Sequence, residues 1–194
     1  MRIKIFNHNK LITEFTPCRA SKNCGNGLDI SIETEEKFYG LGYRHASHLQ
    51  LRGESYRNHV AYGQSYGPIP FLMSSKGWAV YYNTTFDSYF DIGNTDKDKI
   101  HIWSENGDFD VFIMLADGYK ELIGLFTKIT GRPALMPLWG YGFMFICNEK
   151  ENQFDILNDA DKFMTNKIPC DMLGLEPGWM SKYYDESLEK DWDS

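Results

Sequence analysis

The chain has 194 residues, with 20 basic and 27 acidic side chains and a formal net charge of −7. That length holds one large domain, or one domain and part of another. The acidic balance speaks against a nucleic-acid binder, which neutralises phosphates with clustered Lys and Arg. No apolar run approaches the roughly 18 residues of a membrane-spanning helix, so no membrane partner is expected. The N-terminal stretch MRIKIFNHNK carries no hydrophobic block behind its basic residues. It does not read as a signal peptide, which implies a cytoplasmic protein if Met1 is the native start. The cysteines Cys18, Cys24, Cys147 and Cys170 contain no C-x-x-C pair, and their spacing matches no zinc pattern.

Up to about residue 116 the pattern has period two. Ile3 and Ile5 alternate with basic residues, and Leu28, Ile30 and Ile32 alternate with Asp29, Ser31 and Glu33. Two further strand-like runs are GWAVYYNTT (77–85), nearly continuous in aromatic and apolar residues, and KIHIWSE (99–105). Phe109, Val111, Ile113 and Leu115 then take one face of another run. With Gly and Asn/Asp clusters between them, such segments predict an antiparallel β-sandwich. From Asp117 the period changes. Leu122, Ile123, Phe126 and Ile129 mark an amphipathic helix, which Gly131 and Pro133 stop. LWGYGFMFI (138–146) predicts a buried strand. A helix is expected over 152–166, with Phe154, Leu157, Asp161 and Met164 to one side. CDMLGLE (170–176) predicts a second strand. Strand, helix and strand in about 40 residues form a βαβ unit, hence a parallel pair. The expected division is a sandwich over 1–117, a helix and linker over 118–135, and the βαβ unit over 136–194. A two-stranded parallel sheet leaves faces that such sheets normally cover, so the unit reads as part of something larger.

Four stretches in order resemble glycoside hydrolase family 31, the α-glucosidase and α-xylosidase family. EKFYGLGYRH (36–45) is similar to its FYGLG turn, and YGPIPFLMSSKGWAVYYNTTFDSYFDIG (66–93) to its P-x-PF segment. ELIGLFTKITGRPALMPLWGYGFMF (121–145) resembles its entry to the barrel, and KIPCDMLGLEPGWM (167–180) its second barrel strand. The resemblance implies a galactose-mutarotase-like β-sandwich followed by the beginning of a (β/α)8 barrel. It also implies a retaining α-glycosidase, whose partner is an α-glycoside or oligosaccharide, together with the remainder of the barrel. No cofactor or metal is implied.

In the family both catalytic carboxylates are aspartates on later strands, and retaining hydrolysis needs the two about 5–5.5 Å apart. The nucleophile's local motif, aromatic-x-Asp-hydrophobic-(Asn/Gly)-Glu, is absent here, so no residue is assigned a catalytic role and the chain alone is expected to be inactive. The resemblance places Glu176 where the family usually has an aspartate that accepts hydrogen bonds from sugar hydroxyls. Trp179 follows and fits two roles equally, stacking on a sugar face or packing under the next loop. Tyr141 fits two positions equally, the pocket lining and the barrel core. Asn148 and Glu149 follow the first barrel strand. The polar stretch through Arg44, His45, His48, Tyr56, Arg57, Asn58 and His59 lies near a loop, 54–63, that in the family reaches the barrel mouth. Its histidines lack metal-ligand spacing. A non-catalytic carbohydrate-binding sandwich is the competing reading, supported by an aromatic content of 15% and opposed by the βαβ pattern after residue 137.

Overall fold

The computed structural model describes residues 3–7, 10–19, 26–44, 49–60, 65–106, 109–147 and 150–191. Ten strands come first: β1 (Ile3–Asn7), β2 (Lys10–Arg19), β3 (Asn26–Ser31), β4 (Phe38–Arg44), β5 (Glu54–Asn58), β6 (Ser65–Ser74), β7 (Trp78–Tyr82), β8 (Ser88–Ile92), β9 (Lys99–Ser104) and β10 (Val111–Leu115). Helix α1 (Tyr119–Thr130) follows, then β11 (Met144–Ile146), α2 (Gln153–Thr165) and β12 (Met172–Gly174). The first ten strands form two sheets, ordered β1-β2-β3-β9-β8-β5 and β10-β7-β6-β4. Every ladder in them is antiparallel.

Alternation decides what the two sheets enclose. Leu28, Ile30, Phe90, Ile92, Ile100 and Ile102 come inward from the larger sheet, and Phe38, Leu72, Trp78, Val80 and Tyr82 from the smaller, into one buried cluster. Trp78 sits at its centre, edge-on to Phe15 at 5.4 Å and tilted against Phe38 at 5.9 Å. Its indole needs a buried acceptor, and Glu36 supplies one. Glu36 is fully buried, and its Oε1 accepts from Trp78 Nε1 at 2.7 Å and from the Ser74 hydroxyl, while Oε2 accepts from the Glu33 amide at 2.9 Å.

The smaller sheet is covered on its other face as well. Phe71, Ala79 and Met114, of opposite parity to Leu72 and Val80, form a second cluster with Leu122 of α1. Phe71 stacks on Phe126 at 4.3 Å. A strand with two covered faces has no polar side, which accounts for the unbroken apolar run Trp78–Tyr82. Helix α1 thereby belongs to the first of two compact units, Met1–Arg132; the second is Pro133–Ser194.

In the second unit β11 and β12 pair in parallel, with Met144 opposite Met172 and Ile146 opposite Gly174. The single strand expected over 138–146 is two pieces. Leu138–Tyr141 is a 3-10 turn closed by Gly140 N–H to Pro137 O (2.8 Å) and Gly142 N–H to Trp139 O (3.1 Å), and the strand begins at Met144. Helix α2 starts with a capping box, Asn152 Oδ1 accepting from the Phe154 and Asp155 amides and Asp155 Oδ2 from the Asn152 amide. The side that Phe154, Leu157, Asp161 and Met164 share is exposed. Phe154, Leu157 and Met164 are exposed at 74%, 62% and 71%. Phe163 instead meets Phe145 at 5.2 Å and Phe143 at 6.0 Å.

Candidate substrate-binding site

Parallel strands joined by a helix place their functional groups at the C-terminal strand ends. Cys147, just past β11, is buried, and its N–H donates to Gly174 O at 3.1 Å, closing that end of the pair. The opposite end is closed by Asp171. Its N–H donates to Phe143 O at 2.9 Å, while its Oδ2 accepts from Phe143 N–H at 3.1 Å. Gly142 is needed beside it, since a Cβ there would lie 2.0 Å from Asp171 Oδ2.

Glu176 stands two residues beyond β12, at the C-terminal end, with its side chain exposed. The next three residues, Pro177–Trp179, form a 3-10 turn that Pro177 pre-sets through its fixed φ. The Trp179 N–H donates back to Glu176 O at 3.2 Å, and the Trp179 ring is half-buried. Two of the three expected binding residues therefore share one turn. Tyr141 does not join them. It lies in the turn before β11, at the N-terminal strand end, 59% exposed, with its Oη accepting from Met136 N–H at 3.2 Å. The reason is the strand's late start, because Pro137 and the two i→i+3 bonds keep Tyr141 out of the sheet.

One acidic residue here escaped the sequence reading. Glu151, five residues beyond β11, reaches the Cys147 thiol, while its Oε2 is enclosed without a hydrogen-bond partner among the described residues. Burial pushes the Cys147 thiol above its ordinary value; a hydrogen bond from the Glu176 backbone opposes this, and the Glu151 carboxylate adds to it. Asn148, Glu149, His45 and His48 lie outside the described residues. The 54–63 stretch is strand in its first half. Glu54–Asn58 is the edge strand β5, where Arg57 Nε donates to Asp87 Oδ2 at 2.9 Å, and 61–63 lie outside the described residues.

Two family models match in chain order: the glycosyl hydrolase 31 N-terminal galactose mutarotase-like domain at residues 5–91, and the glycosyl hydrolases family 31 TIM-barrel domain at 133–194. An α-xylosidase of Saccharolobus solfataricus is 27% identical over 171 residues, covering 80% of this chain and 22% of its own. Glucosidase 2 subunit alpha of Saccharomyces cerevisiae is 29% identical over 166 residues, covering 77% and 17%. Among solved structures, a dextranase of this family from Flavobacterium johnsoniae, complexed with glucose, superposes with a TM-score of 0.79 at 27% identity, covering 98% of this chain and 24% of that one. The chain thus spans about a fifth of the length of these relatives. With both family models matched in sequence order, a galactose-mutarotase-like sandwich and the opening strands of a TIM barrel, the chain belongs to glycoside hydrolase family 31.

Proposed function

We infer that residues 1–194 form the sandwich and first barrel strands of a longer retaining α-glycosidase that acts on α-linked glucosides or xylosides. The observation that carries this reading is the Glu176–Trp179 turn at the C-terminal end of a parallel strand pair, where barrels bind substrate. Glu176 accepts hydrogen bonds from sugar hydroxyls at the non-reducing residue, and Trp179 stacks on an apolar sugar face. The nucleophile and the acid/base come from outside this segment. Support also comes from relatives described as an α-xylosidase and a glucosidase 2 subunit.

The test is release of nitrophenol from aryl α-glucoside and α-xyloside. Residues 1–194 alone are expected to show none above background. In the enzyme that carries this segment, Glu176→Gln removes the charge from hydrogen bonds that are worth roughly 1.5–3 kcal/mol when charge-assisted. kcat/KM should then fall about 10- to 150-fold with stability unchanged. Glu176→Asp, which shortens the arm by one methylene, should alter the ratio of the two activities. Unchanged kcat/KM in both variants would make Glu176 structural.

A further inference from the structure

The outward face of the larger sheet carries a cluster that the glycosidase reading does not use. Strand register brings it together. Asp29 on β3 lies directly opposite His101 on β9, and Cys18 on β2 lies opposite Gly27, one same-face step along from the Thr16–Asp29 pair. Diagonal neighbours of this kind are about 7–8 Å apart at the backbone, within reach of side chains that lean together. They do lean together. His101 Nδ1 is 2.5 Å from Asp29 Oδ1, and Cys18 Sγ is 3.8 Å from each of them. Space for the sulfur exists because Gly27 has no side chain; a Cβ there would lie 3.2 Å from Cys18 Sγ.

We propose that Cys18, Asp29 and His101 form a binding site for a thiophilic divalent cation of the zinc class, with a fourth position open to water. One sulfur, one imidazole nitrogen and one carboxylate oxygen suit such an ion, which binds at about 2.3 Å from sulfur and 2.0–2.2 Å from nitrogen or oxygen. Tetrahedral angles then require donor separations of roughly 3.3–3.6 Å. The sulfur distances are already close to this. The Asp29–His101 hydrogen bond opens by about 0.8 Å as the ion replaces the proton between them. Thiolate and carboxylate together balance the cation's charge.

The imidazole is pre-oriented. His101 stacks on Trp103 at 4.8 Å, and Trp103 stacks on Tyr89 at 5.0 Å with 11° between planes. The side chains of His101 and Asp29 are 36% and 38% exposed, beside an open groove of about 380 Å3 that Thr95 and Lys99 also line. An ion can enter, and the fourth ligand can exchange. The site shares no residue with the Glu176–Trp179 turn, so either assignment can fail without the other.

The experiment uses the chain stripped with a chelator and titrated with zinc by calorimetry, and with cobalt(II) followed by thiolate-to-cobalt absorbance. One ion per chain and a thiolate band are expected. Cys18→Ser should abolish the band, and Asp29→Asn or His101→Gln should weaken zinc binding by at least about 10-fold. Circular dichroism of each variant checks that the sheet is retained, and Cys18→Ala serves as a second thiol deletion. A combined Cys24→Ser, Cys147→Ser, Cys170→Ser variant should keep both zinc and the band. No binding at zinc up to about 1 mM, the weak end of specific affinity, would overturn the proposal. So would a band that survives Cys18→Ser and vanishes in the combined variant.

Discussion

Glu36 shows how one buried carboxyl fits a hydrophobic core. It sits amid the Trp78 cluster because three donors, Trp78 Nε1, the Ser74 hydroxyl and the Glu33 amide, all need an acceptor there. Burial pushes its carboxyl above the ordinary value of 4.5, and the hydrogen bonds from Ser74, Glu33 and Trp78 offset only part of that. The folded chain therefore binds this proton more tightly than the unfolded chain. Stability from this group is full below about pH 4.5 and declines as pH rises through the raised value. Glu36→Gln cannot titrate, so the urea midpoint of the wild type relative to this variant should be most favourable near pH 4.5 and fall towards neutrality. A difference that stays constant across that window would mean the folded carboxyl titrates at its ordinary value. Glu36→Ala is expected to cost about 2–5 kcal/mol near pH 4.5, since it leaves the Trp78 and Ser74 donors buried without an acceptor.

At the scale of elements, the Gly40-Leu41-Gly42 run explains itself once β4 is paired. The ladder with β6 slips between Gly40 and Gly42, and all three residues have positive φ, at 131°, 65° and 79°. The bulge turns Leu41 fully into the core. Neither flanking position tolerates a side chain, because a Cβ on Gly42 would lie 2.0 Å from Gly67 O and one on Gly40 2.3 Å from Phe71 O. Gly42→Ala should destabilise the chain by about 3 kcal/mol or more. Gly53→Ala is the matched control. Its φ is 85° but nothing lies within 4 Å of the added atom, so only the left-handed strain of about 1–2 kcal/mol remains. Equal losses in the two, measured by urea unfolding, would show that contact with the β6 backbone contributes nothing. This motif was legible as a family turn in the sequence, but its slip was not, since register is a property of two strands. The same limit hid the three-strand cluster of Cys18, Asp29 and His101, whose members stand far apart in the chain. The period-two runs of β3 and β9 and the 3.6-period of α1 were legible because each buries a face that its own residues declare. β11 was overextended because a continuous apolar run carries no period that separates strand from turn. Helix α2 has apolar residues on two sides, so the sequence could not say which one packs.

Over the whole chain the two units differ in what they bury. The first encloses Trp78, Tyr82, Phe15, Phe38 and Phe90 almost completely. Among the described residues of the second, Cys147 alone is buried, while Leu135, Leu138, Trp139, Phe154, Leu157 and Met164 each remain more than half exposed. Each fully buried large apolar side chain contributes about 1.5–3 kcal/mol, so the free energy that resists opening is concentrated in the sandwich. A parallel pair needs cover on both faces, and in this unit α2 supplies it mainly through Phe163. Hydrogen exchange on residues 1–194 should record the contrast directly. The Leu51 amide, bonded to Phe38 O at 2.9 Å between two buried residues, should exchange only through global unfolding. The Asp171 and Cys147 amides, bonded to Phe143 O and Gly174 O at 2.9 and 3.1 Å, have comparable geometry, but of these four residues only Cys147 is buried. They should exchange through local opening at least about 100-fold faster, a gap of roughly 2.7 kcal/mol. Equal protection at all three would mean that the strand pair draws its stability from backbone bonding without a core. If the proposed longer enzyme carries this segment, the same amides measured in it should slow towards the Leu51 rate, because apolar cover, and not the bonds themselves, sets their opening.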